Sequence, residues 1–211
     1  MGELGEIFGK SLEIMRYFLT IALAICFSIS HGQKITDFVP AGYSILDSAY
    51  GDLNKDGLSD AAIIAQDSTS RILLILFKNP SGYTVAARSN SFILKNDNPS
   101  MEDPYQQIKI TNGVLRINFQ LFYNAGSWDV TNASYKFRYD KNQFILISAR
   151  KNIFNRATHD EADYSYDFLA KKRILTKGNK KTSKRITIVP LKTLKTFPKP
   201  FTWEVEKGVY L

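Results

Sequence analysis

An all-β fold, laid out as an antiparallel meander in a sandwich-like or propeller-blade-like single domain, is predicted for the chain beyond residue 33, and three observations predict it. Apolar residues alternate with polar ones over Val114–Leu121 and again over Ala133–Tyr139, the two-residue period of a half-buried strand. Asn112-Gly113 separates two such runs, and Asn-Gly between alternating segments is the strongest short hairpin signal. The same region has no strong helix-length amphipathic stripe.

The N-terminus reads differently. Arg16 is followed by an apolar segment of about thirteen residues ending near Ser30, too short for a spanning helix and suited to a signal-peptide core. Ser30 and Gly32 supply small residues before a cut at Gln33, so residues 1–32 are expected to be a cleaved signal helix. Met15 directly precedes the cation and is a second candidate start, which would leave 1–14 upstream. Lipidation at Cys26 is an alternative weakened by the bulky Ile25 before it, and an uncleaved anchor is another. The chain's single cysteine falls in this segment, so an exported product has no disulfide and depends on its core and on metal. The expected location is periplasmic or secreted.

Residues 52–60 carry the densest chemistry. Asp52, Asn54 and Asp56 alternate, Gly57 supplies a residue that tolerates positive φ, Leu58 offers its carbonyl, and Asp60 can close the shell with two oxygens. Calcium takes six to eight oxygens, and this spacing curls them around one point. An EF-hand would need a bidentate Glu at the twelfth position, where this chain has Ile63, so that loop type is excluded. A plain tight turn is the alternative, since Asn, Asp and Gly also dominate turns. The stretch 51–66 resembles the D-x-N-x-D-G-x-x-D loop of FG-GAP and VCBS repeats of extracellular proteins. That resemblance implies a bound calcium bracing the entry to a strand.

Strands follow in order. Ala61–Ala65 and Arg71–Phe77 are short apolar runs separated by a polar turn, and Asn79-Pro80-Ser81-Gly82 turns the chain into Tyr83–Ala87. A looser polar stretch, Lys95–Pro104, precedes Gln107–Ile110. Leu115, Ile117, Phe119 and Leu121 should share the buried face of the next strand, with Arg116, Asn118 and Gln120 on the other. Ala133, Tyr135, Phe137 and Tyr139 repeat the period, and Asp140-Lys141-Asn142 turns into Phe144–Ile147. With Ile45-Leu46-Asp47 and Asp163-Tyr164-Ser165-Tyr166-Asp167, this order is similar to a group of bacterial secreted proteins that carry one FG-GAP-like loop ahead of a β-rich body. The likeness covers residues 40 to about 180, departs at Ala170-Lys171 where the group has Gly-Lys, and implies export and a metal loop but no activity.

Charge divides the chain. Gln33–Ala170 holds 14 Lys/Arg against 15 Asp/Glu, whereas Lys171–Pro200 holds 11 Lys/Arg and no acid. The β-domain is therefore drawn as 33–190 and residues 191–211 as a basic tail. A block of this kind is a solvated strand face or a tail, and Lys171–Lys199 would be drawn to anionic surfaces such as lipid headgroups or acidic glycans. Nucleic acid is not expected, because the block interleaves no aromatics with its cations before Phe197.

Catalytic chemistry is thin. Beyond residue 33 the chain has no cysteine and one histidine, His159, set in an acidic loop, so nucleophile–base pairs are poorly supplied. Asp160, Asp163 and Asp167 leave open a glycan-directed hydrolase built on acidic residues around 160–167. Tyr123, Asn124 and Trp128 form a candidate ligand contact, with rings to stack and an amide to hydrogen-bond. The favoured expectation is an exported, non-enzymatic, calcium-stabilised β-domain that binds a protein or glycan partner outside the cytoplasm.

Overall fold

The computed structural model describes residues 33–211; the expected signal segment 1–32, with Cys26, lies outside them. Four strands in chain order, β1 (Ser44–Gly51), β2 (Asp60–Gln66), β3 (Arg71–Asn79) and β4 (Gly82–Ser89), make one antiparallel sheet. Seven more make a second: β5 (Tyr105–Thr111), β6 (Val114–Leu121), β7 (Asp129–Asp140), β8 (Gln143–Asn155), β9 (Glu161–Asp167), β10 (Lys172–Lys177) and β11 (Lys180–Arg185). A two-stranded ribbon, β12 (Glu204–Glu206) with β13 (Val209–Tyr210), follows. The fold is all-β, as the alternation predicts, and neither large sheet closes into a barrel.

Both sheets are meanders because the turns are short and chemically specified. Thr111 pairs with Val114 across Asn112-Gly113, whose φ values of 52° and 73° are those of a type I′ turn. Lys141-Asn142, at 46° and 62°, makes the same kind of turn between Asp140 and Gln143.

The main core joins the sheets in a sandwich-like arrangement. Ala62, Ile64, Leu73 and Ile75 of the smaller sheet belong to one buried cluster with Leu115, Ile117, Phe119, Tyr135 and Phe137 of the larger. The opposite face of β2 and β3 is buried too, where Ile63, Leu74 and Leu76 pack with Ile35, Phe38 and Tyr43. Burial on both faces explains why these strands read as continuous apolar runs instead of alternating. Tyr105 Oη donates to Asp47 Oδ2 at 2.6 Å, and Arg71, buried in β3, forms a bidentate pair with Asp103.

A bulge sits in β8: Phe137 pairs with Leu146 and Lys136 with Ser148, leaving Ile147 extra. It switches the inward positions from Phe144 and Leu146 to Ala149. Arg150, Asn152 and Phe154 consequently share the outer side of the sheet.

The C-terminal segment corrects the tail drawn from composition. Residues 171–185 include the hairpin β10–β11, and Leu194, Phe197 and Leu211 are buried in the main core. Phe197 lies edge-on to Phe92 at 5.7 Å and to Tyr135 at 5.4 Å between centroids, and Trp203 packs on Phe197 at 5.8 Å. Large aromatic side chains bury more apolar area than the nearby lysines can hold in solution, so the segment folds down. Glu206 then fixes β12 to the larger sheet through Arg173 and Lys184.

Candidate functional site

The loop 52–59 leaves β1 and enters β2, and backbone donors shape it. Asp52 Oδ1 accepts from the Lys55 and Asp56 N–H at 2.6 and 3.2 Å, and its Oδ2 accepts from the Gly57 N–H at 2.9 Å. Asn54 Oδ1 accepts from the Asp56 N–H, Asn54 Nδ2 donates to Asp56 Oδ2, and Asp56 Oδ1 accepts from the Leu58 N–H. Lys55 and Gly57 turn the chain at φ 68° and 84°. The sequence therefore brings Asp52, Asn54, Asp56 and Leu58 into one solvent-facing curl.

Asp60 stands apart from them. It is fully buried, accepting from the Leu53 and Asn54 N–H at Oδ2 and from the Lys78 N–H at Oδ1. Burial pushes its carboxyl above the usual range, against the pull of the Lys78, Leu53 and Asn54 amides, and the charge of Asp56 adds to the rise. Sequence spacing places Asp60 as a closing ligand, whereas the structure gives it the work of anchoring the loop to β3.

The loop also touches the second sheet. Gly51 lies so close to β5 that a Cβ there would meet Ile110 Cγ2 at 2.6 Å, and a Cβ on Gly113 would lie 3.5 Å from the Asp52 carbonyl oxygen. The aspartate loop and the Asn112-Gly113 turn, the two sharpest motifs in the sequence, thus meet at the junction of the sheets. Carboxylate, carboxamide and carbonyl oxygens are a hard donor set that fits calcium chemically. Among the described residues no three His, Cys, Asp or Glu side chains converge as a metal group, because the loop carboxylates turn toward backbone N–H groups.

The aromatic loop is organised by a residue that sequence reasoning passed over. Arg156 donates to the Tyr123 and Ser127 carbonyls at 2.9 and 2.8 Å, and its guanidinium lies 4.5 Å from the Phe122 ring centre and 5.8 Å from that of Trp128. Trp128 is 65% exposed, Asn124 is exposed, and Tyr123 is half-buried in a bridge to Met101. Only the return of β8 beside β7 brings position 156 here, a separation with no local signal.

The acidic stretch is divided among structural tasks. Asp163 forms a bidentate pair with Arg150 at 2.8 Å, Asp167 Oδ1 accepts from the Leu169 and Ala170 N–H, and Asp160 accepts from the Thr158 hydroxyl. His159 turns at φ 62° and stacks on Phe154. The acids lie along one strand and the turn before it instead of facing one another across a cleft.

Comparison with protein-family models, with curated proteins and with solved structures finds no match for this chain.

Proposed function

We propose that the protein is an exported, non-enzymatic β-domain whose 52–60 loop binds calcium, serving as a binding module outside the cytoplasm. The observation that carries this reading is the position of the loop: it holds four carboxylate or carboxamide side chains, Asp52, Asn54, Asp56 and Asp60, and packs against the Asn112-Gly113 turn where the two sheets meet. A cation held by Asp52, Asn54, Asp56 and the Leu58 carbonyl would tie the β1–β2 connection in place, with Asp60 bracing it from beneath. Calcium would supply structural charge neutralisation there, since protein oxygens saturate the ion and leave little coordination for substrate chemistry. The likeness to FG-GAP and VCBS loops supports the same assignment.

Thermal unfolding tests it. Calcium at a hundredfold excess over its Kd should add about 2.7 kcal/mol of stability, and Asp56→Ala should remove the gain. Identical melting curves in calcium and in chelator would overturn the metal assignment. Export rests on the Arg16–Ser30 pattern, and mass spectrometry of the native product should find Gln33 at its start; a product retaining Met15 or carrying lipid on Cys26 would contradict it.

A further inference from the structure

The outer face of the seven-stranded sheet carries a polar groove of about 480 Å³ that neither the loop nor the core accounts for. Strand register builds it. Gln120, Asn132, Asn152 and Asp163 form one cross-strand row, and Asn118, Ser134, Arg150 and Ser165 form the next. The β8 bulge makes this possible, because it turns Arg150 and Asn152 outward beside Asn132 and Ser134.

The chemistry of the groove is mostly uncharged amide, with a slight acidic excess from Glu161, and hydroxyl-seeking. Side-chain amides offer donors and acceptors in a plane, the pattern that vicinal hydroxyls satisfy, and Gln120 Nε2 donating to Asn132 Oδ1 at 2.9 Å fixes the orientation of two of them. Its one guanidinium, Arg150, is matched by Asp163, and Glu161 accepts from Asn152. No lysine lines it. Asn118 lines the groove, and its buried carboxamide oxygen has no hydrogen-bond partner among the described residues, so the side chain is not committed to the sheet's own network.

An aromatic platform continues the same face. The Arg156 N–H donates to the Trp128 carbonyl at 2.9 Å, extending the β7–β8 pairing by one step beyond Asp129 and Asn155. Trp128 stands four residues before Asn132 on this line, exposed and backed by Arg156. A free indole face beside a row of amides matches the two sides of a pyranose, apolar C–H and polar hydroxyl.

We infer that this groove binds a neutral, hydroxyl-rich oligosaccharide, with Trp128 as stacking platform and Asn118, Gln120, Asn132 and Asn152 as hydrogen-bonding residues. The inference rests on the binding-module reading and names its ligand class. Charge complementarity argues for the neutral class, since anionic chains would find better purchase on the basic hairpin β10–β11.

The full chain is to be screened on an array of neutral, uronic and sulfated glycans, followed by titration of the bound oligosaccharides while tryptophan fluorescence is read. Neutral glycans should be retained with little dependence on salt. Asn132→Ala should weaken them about tenfold, the loss of one hydrogen-bonded pair, and Trp128→Ala by at least as much, with melting temperatures unchanged. Retention of no neutral glycan, retention of sulfated chains alone with loss in salt, or wild-type affinity in both variants would each overturn the inference. The calcium-dependent melting shift, measured on the same protein, separates the two proposals: a shift without glycan binding removes only the groove, and glycan binding without a shift removes only the metal.

Discussion

Gly51 and Ile110 meet across the two sheets at a distance that admits no side chain on Gly51: a Cβ would stand 2.6 Å from Ile110 Cγ2 and 3.2 Å from its Cβ. Gly51→Ala should therefore overpack the junction and destabilise the fold by about 1–3 kcal/mol. Ile110→Ala in the same chain should recover part of that loss, because it removes the atom that is struck. A double-mutant cycle in urea checks this; additive effects would show that the contact does not set the cost.

Asp60→Ala leaves three backbone N–H groups, those of Leu53, Asn54 and Lys78, without an acceptor. The expected loss is about 3 kcal/mol even in chelator, since unsatisfied buried donors cost roughly 1–3 kcal/mol each and Asn54 is only partly buried. Chemical denaturation without calcium isolates this from any metal contribution. A change below about 1 kcal/mol would remove the anchoring role.

Phe197→Ala should destabilise by about 3–5 kcal/mol, the usual range for a buried aromatic ring. Phe197 is 2% exposed and packs against Phe92, Tyr135 and Trp203. Truncation after Val189 removes it together with Leu194 and Leu211 and should abolish cooperative unfolding. A truncated chain that melts as the full one does would restore the view of 191–211 as a peripheral tail.

Glu206 sets a pH dependence. Its hydrogen bond from the Arg173 guanidinium holds the carboxyl below the usual carboxylate range against partial burial, with Lys184 and the Tyr166 hydroxyl adding to the effect. A carboxyl whose folded pKa is depressed contributes stability above its unfolded pKa and loses it as pH falls through the folded one. Glu206→Gln should thus lower stability at neutral pH and flatten the acid loss below about pH 4.3. Parallel stability–pH curves for the two chains would count against the clamp.

The hairpin β10–β11 should bind anionic vesicles in a salt-sensitive way. All six positions of β11 are exposed, and Lys180 and Lys181 have solvent-facing charges that are screened over about 8 Å at physiological ionic strength. Lys180→Glu with Lys181→Glu should reduce sedimentation with phosphatidylglycerol vesicles while leaving the melting temperature nearly unchanged. Equal binding at low and high salt would exclude an electrostatic surface.

What the sequence determined by itself was local. The two-residue period of β6 and β7, the I′ turn at Asn112-Gly113 and the oxygen spacing of 52–60 are properties of a few adjacent residues, and each carries its own physical cause. Tertiary structure decided what depends on distant neighbours. It buried Asp60 beneath the loop, brought Arg156 under Trp128, and turned Asn152 outward through a one-residue bulge that no periodicity announces. It also drew Phe197 out of a basic stretch into the core, because the apolar surface that receives it, around Phe92 and Tyr135, exists only once both sheets have formed.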